Sequence, residues 1–248
     1  VIGFYKFKKI LAMLFVMVAS LFFIKAHLSS NFSPNRQKPN SLVYYHDADN
    51  NKNYWATYDQ ELDDWTKEYL GNSPEPASSY ISYASGSKYA KGYKFANVAP
   101  NKNIPIFKTV LHKDTVINQY KEVSFTIFPQ RAVNQISLYT AEEVNFKSLS
   151  FNGQFFPLHN NLTNAAQKIK SKELVRYYVS DKDSLVVSYE VSKNQKVSFT
   201  VLEYSYDLLN HPQFTINKRA DYMMPKPFIV TDAIIVKKEL NMEDLITF

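Results

Sequence analysis

Histidines, paired carboxylates and nucleophiles are what a chain of 248 residues would use for chemistry, and this one arranges them sparsely. The five histidines are His27, His46, His112, His159 and His211. No two stand four apart, the spacing that puts two imidazoles on one helix face around zinc. Glu142-Glu143 is the one Glu-Glu pair, a type that supplies base and ligand in some zinc peptidases. Here it ends a predicted strand, and neighbours on a strand point to opposite faces. His46, Asp63, Glu142, Glu143, Asp181 and His211 can be threaded into an order of ligands, but 23 acids make such threads easy to find by chance. Cysteine is absent, so thiolate catalysis, zinc–thiolate sites and disulfides are excluded. No serine lies in G-x-S-x-G, so a hydrolase elbow is missing as well. The sequence therefore assigns no catalytic residue, no metal ligand and no cofactor to this chain.

Residues suited to binding are easier to find. His46-Asp47-Ala48-Asp49 offers carboxylates for Ca²⁺, but lacks the glycine and distal glutamate of a ligand loop. The alternative is a hairpin turn held by Asx hydrogen bonds. Trp55, Tyr58 and Trp65, with Tyr80 and Tyr83 from a tyrosine-rich stretch, form the candidate interaction surface for a sugar or peptide. For the first three, the competing reading is a core seam between hairpin and helix, since aromatics are large core fillers. Net charge is +6, part of it beside an apolar segment, and no Lys/Arg cluster interleaves with aromatics on one face. Nucleic acid is therefore not an expected partner. Only 5 glycines are present, against a nucleotide-binding fold built on Gly-rich loops. Asn31-Phe32-Ser33 and Asn161-Leu162-Thr163 are glycosylation sequons, meaningful only in a eukaryotic secretory host.

The elements that must position these residues are mostly strands. Abundant Tyr, Phe, Val and Thr favour sheet. The stretch 41–49, a short strand running into an Asp/Asn-rich turn, and a second short strand at 54–58 read as a hairpin. Thr57 and Gln60 match a capping box, Leu62, Trp65 and Tyr69 share a helical face, and Gly71 stops it, which predicts one short helix at about 59–70. Residues 72–103 read as a long aromatic-pinned loop, with a strand near Tyr80–Tyr83. Regular alternation then predicts strands at 105–112, 120–128, 134–140, 145–151, 174–180, 184–192, 196–206 and 228–238. Val123, Phe125 and Ile127 share one face, as do Val187, Tyr189 and Val191. Asn152-Gly153 signals a type I′ hairpin turn. Asp181-Lys182-Asp183 and Lys193-Asn194-Gln195 link later strands, and 163–173 reads as a small helix or excursion. The fold class is mainly β, an antiparallel β-sandwich with one short helix.

Ahead of this body lies Ile10–Ile24, ILAMLFVMVASLFFI, uncharged and almost wholly apolar, between Lys6, Lys8 and Lys9 and Lys25. A bilayer span needs about 20 apolar residues. Flanking apolar residues and snorkelling lysines extend this one towards that length. A signal peptide has an apolar core of this size, but Ile24-Lys25 is bulky where small residues are wanted. A buried core helix would need a polar face, and none exists. The leading organisation is a single transmembrane helix with a basic cytoplasmic flank at 1–27, a linker at 28–40 and an extracytoplasmic domain at 41–248. The chain starts at Val1 rather than Met, and the expectation is that it is the tail of a longer protein.

Two stretches resemble a known family. They are 41–71, S-L-V-Y-Y-H-D-A-D-N-N-K-N-Y-W-A-T-Y-D-Q-E-L-D-D-W-T-K-E-Y-L-G, and 214–238, F-T-I-N-K-R-A-D-Y-M-M-P-K-P-F-I-V-T-D-A-I-I-V-K-K. With the apolar segment and V-N-F-K-S-L-S-F-N-G at 144–153, they are similar to the C-terminal part of multi-pass membrane zinc exopeptidases. These are related to the endoplasmic reticulum metallopeptidase and the vacuolar membrane protease, bacterial members included. The resemblance implies a non-catalytic β-rich domain on the peptidase side of the membrane, in periplasm or in ER or vacuole lumen. Its partners would be the bilayer through residues 10–24, the peptidase domain and the parent's other membrane helices. The family's zinc ligands lie in a part this chain does not contain, so zinc belongs to the implied parent and no ligand carries over. A membrane-anchored or secreted sandwich that binds peptide or carbohydrate is the alternative, and an independent hydrolase a third.

Overall fold

The computed structural model of the chain describes residues 5–83, 88, 91–140, 144–156, 168–169, 173–180, 184–241 and 246–247. The chain divides into two units, one of residues 1–39 with 219–224, the other of 40–218 with 225–248.

The first unit carries helix α1, Lys8–Leu28, longer at both ends than the apolar run that predicts it. Its 21 residues, at about 1.5 Å each, span roughly the 30 Å of a bilayer's hydrocarbon core. None of its residues is buried, so it is no core helix, and it is long and apolar enough to cross a membrane. Lys25 and His27 in the last turn suit the negative end of the helix dipole. The residues after it are hydrogen-bonded. Ser33 and Arg36 bridge through their backbones, the Lys38 amide donates to Tyr222 O, and Gln37 Nε2 donates to Asp221 O at 2.9 Å.

The second unit is a sandwich. Its longer strands are β1 Val43–Asp47, β2 Lys52–Thr57, β3 Phe95–Val98, β4 Lys108–Ile117, β5 Tyr120–Phe128, β6 Gln135–Thr140, β7 Val144–Phe151, β8 Glu173–Tyr178, β9 Leu185–Ser192, β10 Ser198–Ser205 and β11 Ala233–Asn241. Helix α2, Asp64–Leu70, follows the β1–β2 hairpin. One sheet runs β8-β6-β10-β11-β1-β2-β3 and ends on Glu75–Pro76. The other runs β7-β9-β5-β4, with Gln154–Phe155 beyond β7 and Ile246–Thr247 beyond β4. Neighbours are antiparallel except β11 with β1, and Ile246–Thr247 with β4, which are parallel.

Alternation accounts for the core between the sheets. Val123, Phe125 and Ile127 from β5 and Val187, Tyr189 and Val191 from β9 face Ile136, Leu138, Phe199 and Val201. Phe199 lies 5.8 Å from Phe125 and 5.7 Å from Tyr189, ring centre to ring centre. In β6 and β10 the alternation is lost, because nearly every residue is buried. Their outer face is covered too, by the stretch after α2. Ala77 and Ile81 pack there with Val43, Tyr45, Tyr139, Leu202 and Tyr204, and Tyr80, Tyr83 and Tyr93 close over them.

Several local expectations are corrected. The helix starts at Asp64 rather than 59, because the Asp59 carboxylate is held by Ser41 and Asp63 forms the capping box with Thr66. Around Tyr80–Tyr83 there is no strand; a short 3₁₀ turn at Ala77–Ser79 precedes it. The last long strand starts at Ala233 rather than 228, since Phe228 and Asp232 take positive φ of 64° and 55°. The Asn152-Gly153 turn has φ of 48° and 79°, as type I′ requires. Glu142, Glu143, His159, Asp181 and most of 163–173 lie outside the described residues.

Candidate functional site

The five aromatic residues do not form one surface. Trp55, Tyr58 and Trp65 are each at most 6% exposed, and only Tyr80 and Tyr83 are half-exposed. They also divide between the two faces of the first sheet. On the α2 side, Trp55 meets Tyr44 edge-on at 5.3 Å and Tyr69 at 5.3 Å, with Phe214 against Tyr44 at 4.7 Å. Trp65 joins through Tyr69 and donates its indole N–H to Asn217 O at 2.7 Å. On the opposite face Tyr58 packs on Tyr93, Tyr80 stacks on Tyr54, and Tyr83 lies against Tyr139. Burial pushes the Tyr139 phenol up to about 12 and holds Tyr58 higher still. Both groups are core seams.

What the hairpin and helix do build is a latch. Ser41 donates its amide to Asp59 Oδ2 at 2.8 Å, and its hydroxyl oxygen accepts the Tyr58 amide at 3.0 Å. Asn40 Nδ2 donates to Asp63 Oδ2 at 2.9 Å, while Asp63 Oδ1 caps α2 by accepting the Thr66 amide. From the far end of the chain, Lys226 pairs with Asp59 at 3.3 Å and donates its amide to Asn40 O. Thr231 Oγ1 accepts the Leu42 amide, and Asn217 reaches both Tyr69 and Glu68 on α2. Thus residues 40–69 and 217–231 bond to each other, through side chains and main chain, in one node.

The turn of His46-Asp47-Ala48-Asp49 already holds a cation, the ammonium of Lys237. Its Nζ lies 2.9 Å from Asp49, 3.2 Å from Glu239 and 3.4 Å from Asp47. Burial pulls this ammonium down, but the Asp49 hydrogen bond and the Asp47 and Asp49 charges outweigh it, so its proton is held more tightly than usual. His46 Nδ1 is 2.7 Å from Asn53 Oδ1, and His112 Nε2 is 2.6 Å from Thr126 Oγ1. Among the described residues no three His, Asp or Glu side chains converge as metal ligands. Beside the turn an open groove of about 470 Å³ is lined by His46, Asn51, Asn101, Lys102, Asn103 and Ile104 among others. Its amides offer donors and acceptors to a polar ligand.

One group escaped sequence reasoning. Glu203 is fully buried in the sandwich, and neither carboxylate oxygen has a hydrogen-bond partner. Arg131 spends its guanidinium on Ser205 Oγ and on the Glu203 main-chain oxygen. Burial raises the Glu203 carboxyl to about 7; the Arg131 charge and the nearby Phe107 amide offset part of this without completing a hydrogen bond. The signal was in the phase. Glu203 continues the Phe199, Val201 face, which packs towards the second sheet.

No protein-family model matches the chain, and no curated protein matches it.

Proposed function

We propose that this chain is the non-catalytic, extracytoplasmic domain of a membrane-bound zinc exopeptidase, anchored by α1 and bracing or capping the peptidase domain. The observation that carries the reading is the node at residues 40–71 and 217–238. The segments that resemble the family are those that lock the sandwich together, so the resemblance falls on its framework and not on a reaction centre. The exposed apolar helix supports a membrane anchor, and Lys6, Lys8 and Lys9 before it favour a cytoplasmic start with the sandwich across the bilayer. In the intact parent, deleting residues 41–248 is expected to abolish folding or activity of the peptidase. Unchanged activity after that deletion, or coding sequence upstream of Val1 without a peptidase domain, would end the reading.

A second reading, a membrane-anchored module that binds peptide or carbohydrate, is favoured by the groove of Asn51, Asn101 and Asn103. Retention on a glycan or peptide array that is lost in Asn103→Ala, with the fold intact by circular dichroism, would select it over the first.

A further inference from the structure

The groove beside the His46 turn has a frame whose main-chain groups are spent within the fold. Ala99 donates its amide to Asn53 O at 2.8 Å, Pro100 O accepts the Tyr44 hydroxyl, and Ile104 donates its amide to Lys102 O. Gln213 accepts the Asn103 amide at 3.0 Å and donates to Asn103 O at 2.7 Å. What residues 99–104 leave over is side chains. The Asn103 side-chain amide and the Asn101 Nδ2 have no hydrogen-bond partner among the described residues. Lys102 stands 5.6 Å over the Phe214 ring and meets no carboxylate among those residues. His46 is only 6% exposed, and its neighbours fix the proton on its ring. Asn53 Nδ2 donates to Asn101 Oδ1 at 3.2 Å, which leaves Asn53 Oδ1, an acceptor, 2.7 Å from His46 Nδ1. Nδ1 therefore carries the proton, and in the neutral ring Nε2 is a bare acceptor. Asn53 is not part of the groove lining, so the edge of the ring that lines it is the one with Nε2.

We infer that this groove binds an acidic saccharide, a uronate-bearing oligosaccharide; the inference rests on the second reading above, that the groove takes a ligand, and names the ligand's chemistry. Lys102 receives the carboxylate, the Asn51, Asn101 and Asn103 amides receive neighbouring hydroxyls, and His46 Nε2 accepts the proton of one hydroxyl. Hydroxyls donate and accept from a single oxygen, which suits side-chain amides that offer one group of each kind. A peptide added as a strand would need free main-chain groups. Here the groups named above are spent on the frame, and Pro100 and Pro105 have no N–H. Ile104 and Ile106 give the C–H face of a sugar ring an apolar wall. The volume of about 470 Å³ falls within the range of about 300–1,000 Å³ usual for small-ligand sites. Among the described lining residues none is acidic, so the charge on Lys102 is unopposed there and selects an anion.

The full chain, held in phosphatidylcholine nanodiscs, would be titrated by calorimetry with trimers of galacturonate, mannuronate and guluronate. Each trimer would be paired with its methyl ester, which keeps the rings and loses the charge, and triglutamate would supply charge without sugar. At least one acid trimer is expected to bind, its ester about tenfold more weakly, and triglutamate not at all. Lys102→Gln should bring the acid down to its ester, and Lys102→Arg should restore the preference. His46→Asn keeps a donor for Asn53 Oδ1 but removes Nε2, so with the fold intact by circular dichroism it should weaken acid and ester alike. Equal binding of acid and ester, both lost in Asn103→Ala, overturns the acidic assignment and leaves the groove standing as a ligand site. Triglutamate bound as tightly as the saccharides shows that charge alone is read, and overturns the inference. So does retention on a peptide array, dependent on Asn103, with no trimer bound. If neither saccharides nor peptides bind, the second reading falls and the inference falls with it.

Discussion

The two faces of the first sheet are both buried, yet they are built from different materials. Towards the second sheet the contacts are Phe199, Val201, Leu138 and Ile136 against Phe125, Val187 and Tyr189. Towards the stretch after α2 they are Tyr45, Tyr54, Tyr139 and Tyr204 under Tyr80, Tyr83 and Tyr93. The first face is closed by another sheet, whose own alternation supplies a continuous dry layer. The second is closed by a stretch whose described residues form only the short strand Glu75–Pro76 and a 3₁₀ turn at Ala77–Ser79, which cannot offer a continuous dry layer. Tyrosine answers that situation, because its ring fills space while its oxygen tolerates nearby backbone and water. One face is thus a core that strand pairing closes, the other a core that a loop must be persuaded to cover.

Deleting a ring from the dry face should give the largest effect. Phe199→Ala removes a side chain fully buried between Phe125 and Tyr189 and leaves a cavity, at a cost of about 3–5 kcal/mol. Denaturant unfolding of the sandwich measures it. A loss below about 1 kcal/mol would mean the two sheets do not pack as a single core.

Glu203 tests the same face through pH. In the native protein its carboxyl keeps its proton to about pH 7, against an ordinary value of 4.5. Between those values the folded state binds more protons than the unfolded chain, so stability falls as pH rises through that window and then levels off. Glu203→Gln keeps the shape and cannot ionise. It is therefore expected to match the parent near pH 4.5 and to exceed it above pH 7, by on the order of 3 kcal/mol. Comparing unfolding free energies of the two proteins across that range isolates this residue from every other titration. A constant difference would show that Glu203 does not change its protonation there.

How far the molecule could be read from its residues follows the same division. Val123-Ser-Phe-Thr-Ile127 alternates because one side of β5 is dry and the other is not, and a two-residue period is a local signal. Asn152-Gly153 is legible for a similar reason, since left-handed backbone has few willing residues. The tertiary decisions were not legible. Thr57 with Gln60 and Asp63 with Thr66 are both acceptable caps, and the choice falls to Ser41, which draws Asp59 away from helix formation. The parallel pairing of β11 with β1 joins residues about as far apart as the body allows, with no local mark. The candidate surface failed for a further reason. Residue type cannot separate a tryptophan offered to a ligand from one donating its N–H to Asn217 O within the fold.

The smallest effect distinguishes the two faces most sharply, because its sign changes. Tyr44, on the α2 side, donates its hydroxyl to Pro100 O at 2.9 Å. Tyr204, under the tyrosine layer, is fully buried and its hydroxyl has no hydrogen-bond partner; the Tyr139 oxygen is close enough to act on it electrostatically, without hydrogen-bond geometry. Removing a bonded hydroxyl strands its acceptor and costs about 1 kcal/mol, whereas removing an unbonded one relieves a desolvated dipole. Tyr44→Phe is therefore expected to destabilise the sandwich by about 1 kcal/mol, and Tyr204→Phe to leave it unchanged or stabilise it by up to about 1 kcal/mol. Equal losses in the two variants, measured in one denaturant series, would show that the tyrosine layer satisfies its hydroxyls after all. The contrast between a dry face and a covered one would then reduce to a difference in residue type.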